Sequence, residues 1–421
     1  MQLQNLGFFK REYYNRFPYF FKIINFIKFF FIFPIVIIVV IIYPFYKIRF
    51  GQIQTKTLGN CVLPLEIFYY EIKENIHVSN NRNLDIWCTT YLISNKFWYK
   101  KIKRKILILP GFFILPIFNF FMKFNIGKNF LIPLRDFKSS ISPGLVKSKY
   151  DLSPCSDIFS VLLKNPPLIN FDENENNFGN NFLKKNGILS DDRIICIHTR
   201  SNAYRDEKFK STRNSSVRNF TKGVDFLTNK GFKVIRMGRD EKIPFNKKNK
   251  AVFDYSVNND QSDFLDFFII SKCLFFVGAD SGLADIAKIY RKPVLTHNIV
   301  NLKDLIHYVG DFERIFLPKK IWDKKKNKFL KFDETFKNNY SKITYSDLEQ
   351  INLELFENTE EDIYDALVEM HDLIVLNKEV KIDQSKFFKN YDEMYDDALT
   401  KKVSVSNSFY KKNIDLFEKN D

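Results

Sequence analysis

Between Arg193 and Asn298 the chain alternates short apolar runs with longer amphipathic stretches. The runs "RIICIH", "FKVIRM", "AVFDY", "CLFFVG" and "PVLTHN" are almost uninterrupted by polar residues and end in Gly, Pro or polar turns, the pattern of strands buried on both faces. Between them, "VRNFTKGVDFLTNK" has helical spacing and stops at Gly231, a C-cap position. "SDFLDFFIISK" opens on a capping Ser, and "LADIAKIY" follows the turn "ADSG". Strands alternating with helices of this length predict an α/β fold with a parallel, doubly wound sheet. Ligands of such sheets bind beyond the carboxyl ends of the strands. That singles out His198, Thr199 and Arg200, then Arg236, Met237 and Gly238, then Gly278 to Gly282, and His297.

The pattern divides the rest of the chain. Residues 51–163 read as a first α/β domain with "LDIWCTTY" and "RKILIL" as strands; the stretch on to Arg135 is too aromatic for periodicity to separate helix from strand. Asn165-Pro166-Pro167 and a polar run mark 164–190 as an interdomain linker. Within it, Asp172 and Glu175 form a capping-box pattern before a short helix ending near Gly187. Residues 191–334 form the second domain. Residues 335–421 read as a helical, acidic extension, with Thr359 as N-cap and Glu360, Glu361 and Asp362 in the first turn.

Residues 1–50 read as a membrane segment. "FFFIFPIVIIVVIIYPF" (Phe29 to Phe45) holds 17 residues without a charge, a borderline length for a span, and Pro34 and Pro44 weaken a straight one. Basic residues flank both sides, so orientation is not fixed, and no small-residue cleavage site follows. The expectation is a spanning or re-entrant anchor, with a buried core helix as the alternative.

Net charge of the 421 residues is +16. A basic surface suits anionic lipid, a nucleotide or nucleic acid, or is simply a Lys-rich solvated face. No RNA-binding signature or zinc-finger spacing is present, so nucleic acid is not the expected partner. The five Cys are scattered without a C-x-x-C and the five His do not cluster. This points to a reducing compartment and predicts neither disulfides, metal nor cofactor.

The stretch "FVGADSGLADIAK" carries the most chemistry. Gly278 lets the chain leave the strand, Asp280 or Ser281 caps the helix, Gly282 admits close approach, and the free N–H groups up to Leu283 form an anion site. A capped turn without a ligand has the same sequence. His198 and Arg200 alternate on one strand end and so point the same way, and Arg200 offers a fork suited to diphosphate oxygens. Arg236 and Arg239 straddle Gly238, either as phosphate or ribose contacts or as salt-bridged loop residues. No G-x-G-x-x-G, P-loop or G-x-S-x-G is present. Co-occurrence at three strand ends favours a nucleoside diphosphate held without metal.

The blocks "RNSSVRNFTKGVDFLTNKGFKVIRMG", "DYSVNNDQSDFLDFFIISKCLFFVGADSGLADIAKIYRKPVL" and "ELFENTEEDIYDALVEM" resemble a bacterial family of glycosyltransferase-like proteins linked to surface polysaccharides, over roughly 50–370. "FVGADSGLADIA" is similar to the heptosyltransferase pattern F-V-G-x-D-[ST]-G-x-x-H-x-A, with Asp285 where that pattern has His. "IHTR" is similar to the H-x-R block of the fucosyltransferases, whose Arg holds the donor diphosphate. The resemblance implies a two-lobed GT-B fold, metal-independent hexosyl or deoxyhexosyl transfer, and a nucleoside-diphosphate sugar as donor. It implies a glycan or lipid-linked acceptor, and a catalytic part on the cytoplasmic face of the bacterial inner membrane. Nucleotide-sugar contacts are expected from His198, Arg200, Arg236, Gly238, Asp280, Ser281, Gly282 and Leu283. In the first lobe, Asn60 of "LGN" stands where heptosyltransferases carry an Asp proposed as base. Asn cannot take a proton, so Glu66 becomes the candidate base beside Arg200 as the charge-stabilising residue, or the chain is slow or inactive. A non-catalytic glycan- or nucleotide-binding protein of polysaccharide assembly is the alternative.

Overall fold

The computed structural model describes residues 30, 32–76, 83–89, 92–132, 155–201, 211–239, 241–245, 248–300, 312–338, 345–379, 382–384 and 404–418. The chain opens on helix α1 (residues 32–42). Strands β1 (Lys47–Ile53), β2 (Asn83–Thr89) and β3 (Leu107–Ile108) then make a three-stranded parallel sheet in the order β1-β2-β3. Helices α2 (Val62–Lys73) and α3 (Lys96–Ile102) follow β1 and β2, and α4 (Gly111–Phe121) follows β3. Asn95 caps α3 by accepting from the Trp98 N–H at 2.8 Å.

A helix at Glu173–Lys185, α5, crosses to the second unit, and its capping box is formed as the sequence predicts: Asp172 accepts from the Glu175 N–H, and Glu175 from the Asp172 N–H, both at 2.9 Å. The second unit is a seven-stranded, wholly parallel sheet. It contains β4 (Ile194–His198), β5 (Lys233–Met237), β6 (Val252–Asp254), β7 (Cys273–Gly278), β8 (Val294–Ile299), β9 (Glu313–Pro318) and β13 (Ser404–Val405), in the order β13-β9-β8-β7-β4-β5-β6. Helix α6 (Thr221–Asn229) connects β4 to β5, α7 (Asp263–Lys272) connects β6 to β7, and α8 (Gly282–Ile289) connects β7 to β8. Every expected strand and helix between Arg193 and Asn298 forms.

Three features differ from the sequence reading. The chain enters β1 at Lys47, so the membrane-segment boundary at 50 falls inside a strand. The C-terminal extension is not purely helical. Strand β12 (Leu353–Phe356) joins β10 (Lys320–Asp323) and β11 (Lys328–Phe329) in an antiparallel sheet, and β13 extends the main sheet. Helix α9 (Glu360–Val375) buries Ile363, Ala366, Leu367 and Met370 in the core of the second unit, and its Thr359–Asp362 capping box is formed. Finally, α1 turns only Val36 and Val39 fully inward, and no helix among the described residues is long and apolar enough to cross a membrane. The part of the expected anchor before Phe30, and Phe31, lie outside the described residues.

The two units share a core. One hydrophobic cluster runs from Val62, Leu65 and Trp98 of the first to Phe267, Phe268 and Ile286 of the second. Helices α2 and α3 therefore pack against α8 and α7, and the seam between the units is apolar on this side. The clamp around Arg291 reinforces it. This residue adopts φ +59, and its guanidinium donates to Leu162 O at 2.9 Å, Asn165 O at 2.8 Å and Glu66 Oε1 at 2.5 Å.

Candidate functional site at the strand carboxyl ends

Register places the site. His198 pairs with Met237 on one side and Gly278 on the other, and Gly278 pairs with Thr296. β4, β5 and β7 therefore end in one row, which His297 of the longer β8 joins, and the residues just beyond (Arg200, Gly238, Asp280, Ser281) converge on the carboxyl edge of the sheet. This is where the alternation of strands and helices predicted a ligand.

At the β4 end, the His198 ring is buried and its Nδ1 lies 3.2 Å from Met237 O. A carbonyl only accepts, so Nδ1 carries the proton and Nε2 keeps its lone pair. Burial lowers the pKa to about 4, opposed by the Met237 bond and deepened by the nearby Arg200 and Arg236 charges, so the ring is neutral at physiological pH. Arg200 is partly exposed, and its O accepts from the Ser215 N–H at 3.0 Å. His297 completes the row from β8. It donates from Nε2 to His198 O at 3.1 Å and accepts at Nδ1 from Asn298 at 3.0 Å. Burial drives its pKa down to about 3.

Gly238 has φ +146, a conformation open to glycine, and only this lets β5 turn away beneath the row. The adjacent Arg236 corrects the sequence reading. It is 1% exposed, and donates to Ile243 O at 2.6 Å, to Asp254 and Glu241 at 3.3 Å and to Thr199 Oγ1 at 3.4 Å. This guanidinium is spent on the loop after β5 and has no face toward a ligand. Arg239 is salt-bridged too, to Asp263 and Asp266 at 2.6 Å, where it fastens its loop to the start of α7.

At the β7 end, Asp280 accepts from Arg213 at 3.2 Å through its carboxylate and 3.1 Å through its carbonyl. Sequence reasoning missed Arg213: it sits in an aperiodic turn, and only its place in "RNSSVRNF" hinted at it. Ser281 has the extended backbone of an N-cap (φ −160, ψ 162), yet its Oγ is buried and has no hydrogen-bond partner. Leu283 is half-buried on the first turn of α8.

Gly282 brings the second correction. A Cβ there would lie 2.7 Å from both Gly59 N and Leu58 Cβ. A Cβ on Gly59 would lie 3.0 Å from Asp285 Oδ2 and 3.5 Å from Gly282 Cα. The space beside Gly282 is thus filled by the Leu58–Asn60 turn of the first unit, and two glycines let the units touch backbone to backbone. Asn60 itself is exposed.

Glu66 is the third correction. It is 2% exposed on α2, bound by Arg291 and by the Leu168 N–H at 3.2 Å. Burial, offset in part by Arg291, pushes its pKa up to about 7. A carboxylate sealed inside the seam cannot reach an acceptor hydroxyl. A second carboxylate on the seam, Asp285 of α8, faces Gly59 and lies 3.4 Å from Lys288 Nζ, both side chains buried. Among the described residues no group of three or more His, Cys, Asp or Glu could hold a metal ion, and all five cysteines are free.

No family model and no curated protein matches this chain. Among solved structures it is similar to a glycosyl transferase family 9 protein of Veillonella parvula (10% identity, 79% of this chain and 98% of that one, TM-score 0.43). It is also similar to the ADP-heptose lps heptosyltransferase II of E. coli (12% identity, 59% and 84%, TM-score 0.37). A third likeness is to the UDP-GlcNAc 2-epimerase of Methanocaldococcus jannaschii (12% identity, 59% and 83%, TM-score 0.34). Similarity at these values assigns no role to any residue of this chain.

Proposed function

We propose that the chain is a GT-B-like glycosyltransferase that moves a sugar from a nucleoside-diphosphate sugar to a glycan or lipid-linked acceptor in surface polysaccharide synthesis. The observation that carries this reading is the row of strand ends, where Arg200 and a neutral His198 stand beside the N-terminus of α8, against the Leu58–Asn60 turn of the other unit.

The nucleotide diphosphate would lie along that row. Arg200 and the first-turn amides Ser281 to Leu283 would meet the negative charge that develops on the leaving diphosphate, which is stabilisation by preorganised donors. Arg213, held by Asp280, adds positive charge at the same edge. His198 would act as a neutral acceptor through Nε2. The Leu58–Asn60 turn must lift from Gly282 before a phosphate can reach the α8 amides, so donor binding is coupled to a small parting of the units there. Asp285 is exposed by the same movement, and we assign it the deprotonation of the acceptor hydroxyl. This charge handling needs no metal, and transfer of a hexose or deoxyhexose on the cytoplasmic face, where thiols stay reduced, fits the free cysteines.

The second reading, a non-catalytic nucleotide- or glycan-binding protein, is favoured by one observation: Asn60 and the sealed Glu66 leave the first unit's turn without a proton acceptor. A thermal-shift screen with GDP, UDP, ADP, CMP and their sugars, followed by an assay for released nucleotide, separates the two. Stabilisation with sugar release supports transfer. Stabilisation without release by any donor–acceptor pair supports binding alone, and no response to any nucleotide refutes transfer and nucleotide binding alike.

A further inference from the structure

Half of the large exposed apolar side chains among the described residues fall within 30–45 and 112–126, on one side of the first unit. Helix α1 turns Val36 and Val39 into the cluster that holds Ile114, Ile117 and Phe118 of α4, and leaves Ile35, Ile38 and Ile41 outward, three residues apart on one face. Phe112 and Phe113, at the start of α4, are 64% and 60% exposed. The turn after α4 presents Ile126, at 75% exposure, between exposed Lys123 and Lys128. Exposed apolar side chains gathered on two helices that pack together mark a docking surface.

Charge identifies what docks there. Lys47, beside the Tyr43 ring, and the exposed Lys123 and Lys128 stand at this face, and residues 30–65 and 111–132 contain no Asp or Glu. An apolar face that carries Lys and no carboxylate matches an anionic lipid surface, where apolar side chains enter the headgroup–acyl boundary and Lys meets phosphate. The inner face of α1 is already packed on α4.

We propose that α1, the start of α4 and the Lys123–Lys128 turn form one monotopic docking surface that lies in the plane of an anionic phospholipid bilayer. The α1 segment is one part of this face, not a spanning anchor. The proposal deepens the transfer reading by placing a lipid-linked acceptor at the same bilayer, and it stands or falls separately, because binding to lipid is read without nucleotide.

The test is flotation of the full chain with phosphatidylcholine vesicles and with equimolar phosphatidylcholine–phosphatidylglycerol vesicles. The chain should float with the mixed vesicles, bind pure phosphatidylcholine much more weakly, and be released by alkaline carbonate. Phe112→Ser with Phe113→Ser should lower vesicle binding by about tenfold, given two exposed rings withdrawn from the boundary. Ile38→Ser with Ile41→Ser should do the same, while melting and nucleotide response of both variants match the parent. Unchanged flotation of the Phe112/Phe113 variant, or resistance to carbonate, would overturn the proposal in favour of a span. So would a parent that is dimeric without lipid and made monomeric by these changes, since a second copy would then cover the face.

Discussion

Arg236 and Arg200 belong to neighbouring strand ends of the same sheet edge, and their removal should have opposite signatures. Arg236→Ala deletes a guanidinium that is 1% exposed and leaves Glu241 and Asp254, both nearly buried, without their cation. It also strips the Ile243 carbonyl of its 2.6 Å donor. Breaking a buried pair by removing one partner costs about 3–5 kcal/mol, chiefly through the charge left behind. For a domain of this size that is a fall in melting temperature of about 5–10 °C. Nucleotide affinity of the protein that remains folded should stay within about twofold, because the group has no open face. Arg200→Ala should do the reverse: melting within about a degree or two, and diphosphate affinity weakened by about 1.5–3 kcal/mol, the worth of a charge-assisted contact. Differential scanning fluorimetry and calorimetric titration on the two variants decide the matter. An Arg236→Ala protein that melts like the parent but binds nucleotide poorly would refute the reasoning, since it would show that the buried network is not what Arg236 serves.

Further outcomes follow from the seam and the row. Gly282→Ala places a methyl 2.7 Å from Gly59 N, so it should cost about 1–3 kcal/mol as an overpacked contact, and Gly59→Ala made on top should add less than its separate cost because the two share one space; a melting curve unchanged by Gly282→Ala would mean the units do not touch there. Asp285→Asn should lower transfer by about a hundredfold or more while leaving nucleotide affinity near the parent's, as for loss of a general base, and undiminished turnover would remove it from that role. His297 is neutral in the fold and titrates near 6.5 when unfolded, so its contribution to stability is complete above that pH and is lost on acidification towards about 3 at up to about 1.4 kcal/mol per pH unit. The stability gap between the parent and His297→Gln should therefore narrow from pH 7 to pH 4.5 in urea melts, and a gap constant with pH would contradict the assignment.

The parallel sheet was legible because its strands are buried on both faces. "CLFFVG" is apolar throughout, and its bounds match β7 residue for residue. β1 was not legible. "KIRFGQI" follows an apolar helix, so Lys47 and Arg49 read as the basic flank of a membrane segment, whereas Arg49 is the partner of Asp85 on β2 at 2.6 Å. A partner 36 positions away leaves no local trace. The same limit explains Arg236. Alternation along the strand shows which residues share a side, but not whether that side faces a cleft or a loop folded over it. Gly282 shows a subtler ambiguity. A glycine at a helix start signals close approach, and the sequence does not say whether a phosphate or another backbone approaches; here Gly59 does. Glu66 is the carboxylate that the sequence offers near Asn60, while the cation that seals it, Arg291, lies 225 positions on. The C-terminal strands were hidden because β12 and β13 are too short for period two to rise above a helical background.

The central claim is that the strand ends at His198, Gly238 and Gly278 receive a nucleoside diphosphate. Isothermal titration of GDP, UDP and ADP into the full chain, repeated with Arg200→Ala, tests it most directly. The account predicts that one of the three binds at a single site and that Arg200→Ala weakens it by about 10- to 100-fold at unchanged melting temperature. Heat from none of the three, or equal affinity in the parent and Arg200→Ala, would contradict it.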